Sequence, residues 1–304
     1  DYISVHDVRD EPQLREKYDV ILFGPASSNA LSIVSGVQGP RPLPWKKTDI
    51  MPNIGRQDET DDMRGGLELQ GVLNLRNFIE AGGTFVTLTS SASLPIHFGL
   101  APGISVRETE NLWAPGGVFQ TTVADAGSPL AYGYGEQLGV YFEDSPVFAV
   151  AGDRSGTQLA RETTVEDGST TGRRSGRGGI GDQDVVQARP RDWGREGVEA
   201  FRSAHEDDPE QGFRGFGQQQ TSNARVVFRF APDPQQLLIS GGLTDGEELA
   251  GAPALVDVPL GEGHVVMFSF NPFWRSETLG SYALLFNALL HHGSLDAGAA
   301  VADR

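Results

Sequence analysis

Three serines sit in the stretch "TLTSSASLP", Thr87 to Pro95: Ser90, Ser91 and Ser93. They follow an extended apolar run, Thr84 to Leu88, and a proline closes the stretch. In α/β enzymes, a strand that breaks into such a turn at the C-terminal edge of the sheet is a common place to present a nucleophile. A serine there needs a base, because a hydroxyl near its free pKa attacks poorly. The elbow of serine hydrolases reads G-x-S-x-G. Here the order is Thr89-Ser90-Ser91-Ala92-Ser93, with neither glycine. His97 is close in sequence, but no histidine is clearly placed to serve Ser91. A small-residue turn explains the serines by itself; a serine hydrolase using Ser91 and His97 is the alternative.

Other chemistries find little support. The histidines are His6, His97, His205, His264, His291 and His292. A carboxypeptidase-type zinc site needs His-x-x-Glu and a distant histidine. His6 is followed three places on by Arg9 and His205 by Asp208, so neither matches. Adjacent residues on a helix point about 100° apart, so His291 and His292 chelate one ion badly. No G-x-x-x-x-G-K-[ST] loop and no G-x-G-x-x-G after a strand occurs. The acidic group Asp58, Glu59, Asp61 and Asp62 reads as a solvated loop rather than a cation site. Arg173, Arg174 and Arg177 could grip an acidic surface, although a solvated linker accounts for them. Trp113, Trp193 and Trp274 are candidates for a carbohydrate- or peptide-binding surface.

The elements that would position these residues read as α/β. Glu11 to Lys17 suits a short helix, with Pro12 in its first turn. Val20 to Phe23 is a continuous apolar run, the pattern of a strand buried on both faces. A long loop, Pro25 to Gly65, follows. In "LELQGVLNLRNFIEAGG", Leu69, Val72, Leu73 and Ile79 form an apolar helical stripe, with Leu75 and Phe78 on its flank. Gly82 and Gly83 stop that helix, and "TFVTL" begins at once. The middle is β-rich, with "VFQTTV", "LGVYFED" and "PVFAVA" as short strands.

From Arg161 to Asn223 the chain turns polar and low in complexity, which reads as a mobile insertion with a short helix near Glu196 to Ala204. "RVVFRFA" and "QLLISGGL" resume strand patterns, and "PALVDVPLGEGHVVMFSF" is a hairpin around Gly261-Glu262-Gly263. Tyr282, Leu285, Phe286 and Leu289 then mark a helix face packed on the sheet. The organisation is therefore 1–160 as the first part of an α/β domain, 161–223 as an insertion, 224–293 as the closing hairpin and helix, and 294–304 as a tail.

Composition adds bounds. The chain has 304 residues and a net charge of −17, with 24 basic against 41 acidic residues, which argues against a nucleic-acid partner. No run approaches the roughly 20 apolar residues of a membrane helix. Cysteine is absent, which removes disulfides, thiolate metal sites and a cysteine nucleophile, and fits an exported protein without demanding one. The start at Asp1 reads as a piece of a longer or processed protein.

Taken together, "YDVILF", "DDMRGGLELQGVLNLRNFIEAGGTFVTLTSSASLP", "SPLAYGYGEQLGVYFEDSPVF" and "GEGHVVMFSFNPFWRSETLGSYALLFNALL" resemble the C-terminal region of large bacterial zinc carboxypeptidases. In those proteins a carboxypeptidase A-like metallopeptidase domain precedes a domain similar to class I glutamine amidotransferases. The resemblance covers most of the chain outside 161–223. It implies a flavodoxin-like α/β sheet with a β-rich elaboration, and zinc in the upstream catalytic domain rather than in this segment.

That amidotransferase family places a cysteine in G-x-C-x-G and a histidine and glutamate in H-P-E. Ser91 holds the cysteine's place, with both glycines lost, and "FSFNPF" carries Asn271 and Phe273 where the histidine and glutamate would stand. The implied segment is a noncatalytic accessory, positioning substrate or aiding assembly. Its partners would be the upstream catalytic domain, a peptide substrate or a second copy in a homo-oligomer. Ser90, Ser91, Asn271 and Arg275 would meet at one sheet edge. There they serve either to satisfy backbone groups or to bind a carboxylate.

Overall fold

The computed structural model describes residues 1–26, 29–153 and 222–299. These belong to the unit formed by 1–161 with 220–304. The insertion expected at 161–223 therefore lies outside the described residues, apart from Ser222 and Asn223. So do Arg173, Arg174, Arg177, Trp193 and His205.

A mixed sheet organises the unit. Its strands are β1 (Val20–Phe23), β2 (Thr84–Leu88), β4 (Gly117–Val123), β5 (Gln137–Phe142), β7 (Arg225–Phe230), β8 (Leu238–Gly241), β9 (Pro253–Leu260) and β10 (Gly263–Phe268). They run in the order β1-β2-β10-β9-β7-β4-β5, with β8 also paired to β4. The strands β1, β2 and β10 are mutually parallel; every other pairing is antiparallel. A separate two-stranded ribbon joins β3 (Ile104–Val106) to β6 (Phe148–Val150). The chain is thus α/β, with a parallel half and a β-rich half.

Helices α1 (Val5–Asp10), α2 (Leu14–Lys17), α3 (Ala30–Ser35), α4 (Glu68–Glu80) and α5 (Ser93–His97) contribute to one core with Ile21, Phe85, Val265 and Met267. Helix α6 (Tyr282–Leu290) contributes Leu284, Leu285 and Ala288 to the other, with Val86, Leu88, Val266 and Phe268. Alternation along β2 and β10 divides these side chains between the two cores, as the pleat of a strand requires.

Several sequence expectations are corrected. The helix expected at Glu11 to Lys17 starts only at Leu14, with Pro12 outside it. Ahead of it stands α1, capped by Ser4, whose side chain and that of Asp7 bond reciprocally to backbone N–H groups. The stretch from Pro25 to Gly65 contains α3, capped by Asn29. On α4 the buried stripe is Val72, Leu75, Phe78 and Ile79, whereas Leu69 and Leu73 face solvent. On α6 the buried set is Leu284, Leu285 and Ala288, leaving Phe286 exposed. The side-chain amide of Asn287 fixes that rotation by donating to the carbonyls of Leu130 and Tyr132.

The hairpin turn is Gly261-Glu262, with Gly263 already in β10. Gly261 has φ +63, and a Cβ there would lie 2.6 Å from the Glu80 backbone, so only glycine lets the turn dock on the end of α4. The largest correction concerns β1. Its pattern predicts burial on both faces, yet it is an edge strand with Leu22 43% exposed.

Candidate functional site

Ser91 lies in a single 3₁₀ turn, Thr89–Ala92, directly beyond the C-terminal end of β2. Helix α5 follows without a break. The register pairs Leu88 with Phe268, so the turn emerges beside the end of β10. Asn271, three residues past β10, leaves from that same edge.

The chemistry of the turn is set by its hydrogen bonds. Ser91 is fully buried. Its Oγ accepts from the Leu88 N–H at 3.0 Å. The hydroxyl proton faces two carbonyls, Leu88 at 2.8 Å and Phe23 at 3.0 Å. The Ser90 hydroxyl donates to the carbonyl of Ala26. Ser91 therefore ties the turn to itself and to the end of β1, and Ser90 ties it to the loop just beyond β1. His97 is exposed, packs edge-on against Phe98 at 4.9 Å, and makes no hydrogen bond to Ser91.

The backbone strain of the turn falls at Thr89, with φ +53. A β-branched residue there is an outlier worth about 1–2 kcal/mol. The sharp bend characteristic of an elbow thus sits two residues before the position read from sequence. Buried hydroxyls without partners lie near this edge: Thr87 in β2, Ser269 just past β10, and Ser93 at the start of α5.

Asn271 and Arg275 point their bonding elsewhere. The Asn271 N–H donates to the carbonyl of Tyr141 at 3.0 Å, in a bridge to β5. Its side-chain oxygen accepts from the Phe273 N–H at 3.0 Å. Phe273 packs edge-on against Tyr282. Trp274 stacks on Tyr141 with 4.5 Å between ring centroids and 9° between planes, and Arg275 lies over the Trp274 ring at 4.8 Å. Burial, aided by the Glu143 carboxylate bonded to its hydroxyl, pushes the Tyr141 phenol up to about 12. Among the described residues, no hydrogen bond joins Asn271 or Arg275 to Ser90 or Ser91. Asn271 does satisfy backbone groups, but those of its own loop and of β5.

Several of the remaining candidates make structural contacts. Asp62 holds Arg64 through two carboxylate oxygens and accepts from the Leu43 N–H; the guanidinium and these bonds hold its carboxyl well below the usual range. Asp61 pairs with Lys46. Trp113 is bridged to Thr244 and half exposed. His291 packs edge-on against Tyr132, and the His292 carbonyl accepts from Thr84 Oγ1. Among the described residues, no cluster of three or more His, Cys, Asp or Glu side chains is placed to hold a metal ion.

One polar pair was missed from sequence. His264 Nδ1 lies 2.8 Å from Asp257 Oδ1, both buried, at the opposite end of β10 from the turn. Nε2 of the same ring faces Asp296 at 3.6 Å. Burial alone would lower this imidazole, but the carboxylates of Asp257 and Asp296 outweigh it and raise its pKa. The signal was available: an aspartate inside the apolar strand "PALVDVPL" with a histidine just across the hairpin.

No protein-family model and no curated protein matches the chain. Among solved structures, the chain is similar to the cytoplasmic proteins STM3548 of Salmonella typhimurium (TM-score 0.42) and STM1381 of Salmonella typhimurium LT2 (TM-score 0.43). For each, identity is 10%, over 96% of this chain and 80% of the other. A β-galactosidase from Bacillus circulans sp. alkalophilus overlaps 73% of this chain and 20% of its own, at 10% identity and TM-score 0.33. Overlaps this loose carry no functional argument.

Proposed function

We propose that this chain is a noncatalytic, amidotransferase-like accessory domain of a zinc carboxypeptidase-like protein, serving to position substrate or to assemble the parent enzyme. The observation that carries the noncatalytic part is the commitment of the Ser91 hydroxyl. It is fully buried and bonded to the backbone of Leu88 and Phe23. A nucleophile must instead be exposed to substrate and bonded to a base. Asn271 and Phe273, at the positions of the family's base and acid, cannot exchange a proton at neutral pH. The parallel strands β1, β2 and β10 with helices beside them are the part of the fold that a flavodoxin-like sheet would share. Under this reading the antiparallel strands are the elaboration, the peptidase zinc belongs to the upstream domain, and the parent is exported.

Two measurements test the reading. The coding sequence upstream should encode a domain bearing His-x-x-Glu; a free-standing gene overturns the parentage. A fluorophosphonate probe should leave Ser91 unlabelled in the folded protein. Stoichiometric labelling there would restore the serine-hydrolase alternative.

A further inference from the structure

The edge strand β1 is written for burial it does not receive. Val20-Ile21-Leu22-Phe23 is apolar throughout, yet only Ile21 is buried. On its far side β1 has no strand partner among the described residues. The Thr84 N–H donates to the carbonyl of Asp19. Alternation along a parallel pair then turns the N–H and C=O of Ile21 and Phe23 toward β2, and those of Val20 and Leu22 toward the open edge. Natural edge strands are usually blunted by charge, proline or a covering element. Val20 to Phe23 carries no charge and no proline.

Beside this edge opens a cavity of about 1050 Å³, lined by all of β1, by parts of α1 and α3, and by residues 57–60, 63, 65 and 66. That volume is at the top of the range of ligand pockets. The apolar wall includes Phe23, Trp45, Met63 and Phe85. The charged groups in the lining include Asp7, Asp58 and Glu59, with no lysine or arginine. Asp58 and Glu59 are exposed and enter no ion pair among the described residues.

We propose that the free edge of β1 takes an extended, basic peptide as an added strand, its apolar side chains entering the cavity and its cationic side chains meeting Asp58 and Glu59. Strand addition supplies the main-chain partners that Val20 and Leu22 lack, and alternating pockets select the side chains. Four residues of strand, at about 3.3 Å each, match three or four residues of peptide. A second copy of the chain suits the edge badly. It would bring the same carboxylates against themselves on a protein of net charge −17. The inference stands apart from the accessory reading, since it needs only the edge and the cavity.

The test uses the whole chain and three capped, dye-labelled heptapeptides. The first carries lysine at positions 1 and 7 and valine at 3 and 5, with threonine between, so that lysines and valines share the face toward the cavity; the second has glutamate in place of lysine, and the third is the first with alternate backbone nitrogens methylated. Fluorescence anisotropy should show saturable binding of the lysine peptide. The glutamate peptide should bind at least about tenfold more weakly, since like charges meet at the rim. Methylation should abolish binding. The doubly neutralised protein, Asp58→Asn with Glu59→Gln, should bind the lysine peptide about two- to fivefold more weakly per charge removed, the effect of an exposed ion pair. Hydrogen exchange should slow at Val20 and Leu22 on binding. Equal binding of the methylated peptide, equal binding of the two charge types, or no binding at about 1 mM would overturn the proposal. So would protection that misses Val20 and Leu22, or a dimer in sedimentation that protects them without peptide.

Discussion

Replacing Ser91 with alanine should destabilise the protein, and replacing Ser93, two residues on, should not. The Ser91 Oγ accepts from the Leu88 N–H at 3.0 Å and serves the carbonyls of Leu88 and Phe23 at 2.8 and 3.0 Å. Its removal leaves a fully buried N–H without an acceptor, and an unsatisfied buried donor costs about 1–3 kcal/mol. The Ser93 Oγ is also buried but has no partner, so its removal orphans nothing. Alanine is in addition the better helix former at the start of α5. A difference of about 2 kcal/mol between the variants is expected, with Ser93→Ala at or slightly above the parent. Urea unfolding followed by tryptophan fluorescence measures it, with m unchanged so that the midpoint alone reports stability. Equal midpoints for the two variants would show that the Ser91 hydroxyl does not hold the turn. The Ser91 hydroxyl would then be free to serve another role, including a catalytic one.

Three other perturbations have defined outcomes. His264 is raised by Asp257 and Asp296 against the pull of burial, so the folded state favours its protonated form. Its contribution to stability is complete below the ordinary histidine value of about 6.5 and is lost as pH rises through the raised folded value; Asp257→Asn should flatten that dependence in pH-resolved urea titrations. Arg225 bonds Asp125 through Nε and a terminal nitrogen and donates to the carbonyls of Leu295 and Ala297. Arg225→Ala should therefore speed hydrogen exchange across residues 292–299 while leaving β2 protected, and unchanged exchange there would show that other contacts anchor this turn. Arg275 is exposed and touches the Trp274 face, so Arg275→Ala should cost no more than about 1 kcal/mol, and a larger loss in urea unfolding would mean that it holds the loop by more than that contact.

Periodicity and turn chemistry made the parallel half of the sheet legible. A helix stopped by two glycines and followed at once by "TFVTL" is what α4 and β2 are, and the two β-rich runs around Gly261 are β9 and β10. Less legible was which face each helix buries. Leu69 and Leu73 are as apolar as Leu75, and only the arrival of α1, α2 and the sheet decides which leucines are covered. Helix α1 escaped notice because it buries a single apolar residue, Val8, and is held by a reciprocal cap rather than by a stripe. The exposure of β1 was hidden for the opposite reason: "VILF" states what the strand needs, while its place at the edge follows from tertiary pairing, since no other described strand joins its far side.

The candidate site shows the same limit at the level of single atoms. The helix, glycine and strand order located the turn after β2, and the resemblance to amidotransferases put the elbow at Ser91. The bend itself falls at Thr89, because φ +53 occurs where the strand must reverse into the 3₁₀ turn. An outlier of that kind persists only when its surroundings over-determine it. Here the surroundings are two hydroxyls: Ser91 reaches Phe23, the last residue of β1, and Ser90 reaches Ala26, three residues further on. These serines fasten the strained turn, Ser91 to the edge strand and Ser90 to the residues that follow it. Loosening them should therefore be felt first at β1. In the Ser91→Ala protein, hydrogen exchange at Ile21 and Phe23, whose N–H groups face β2, should rise before that of β10, which is held from its other side by β9. Exchange rising equally in both strands would mean that the turn and the edge are not mechanically coupled.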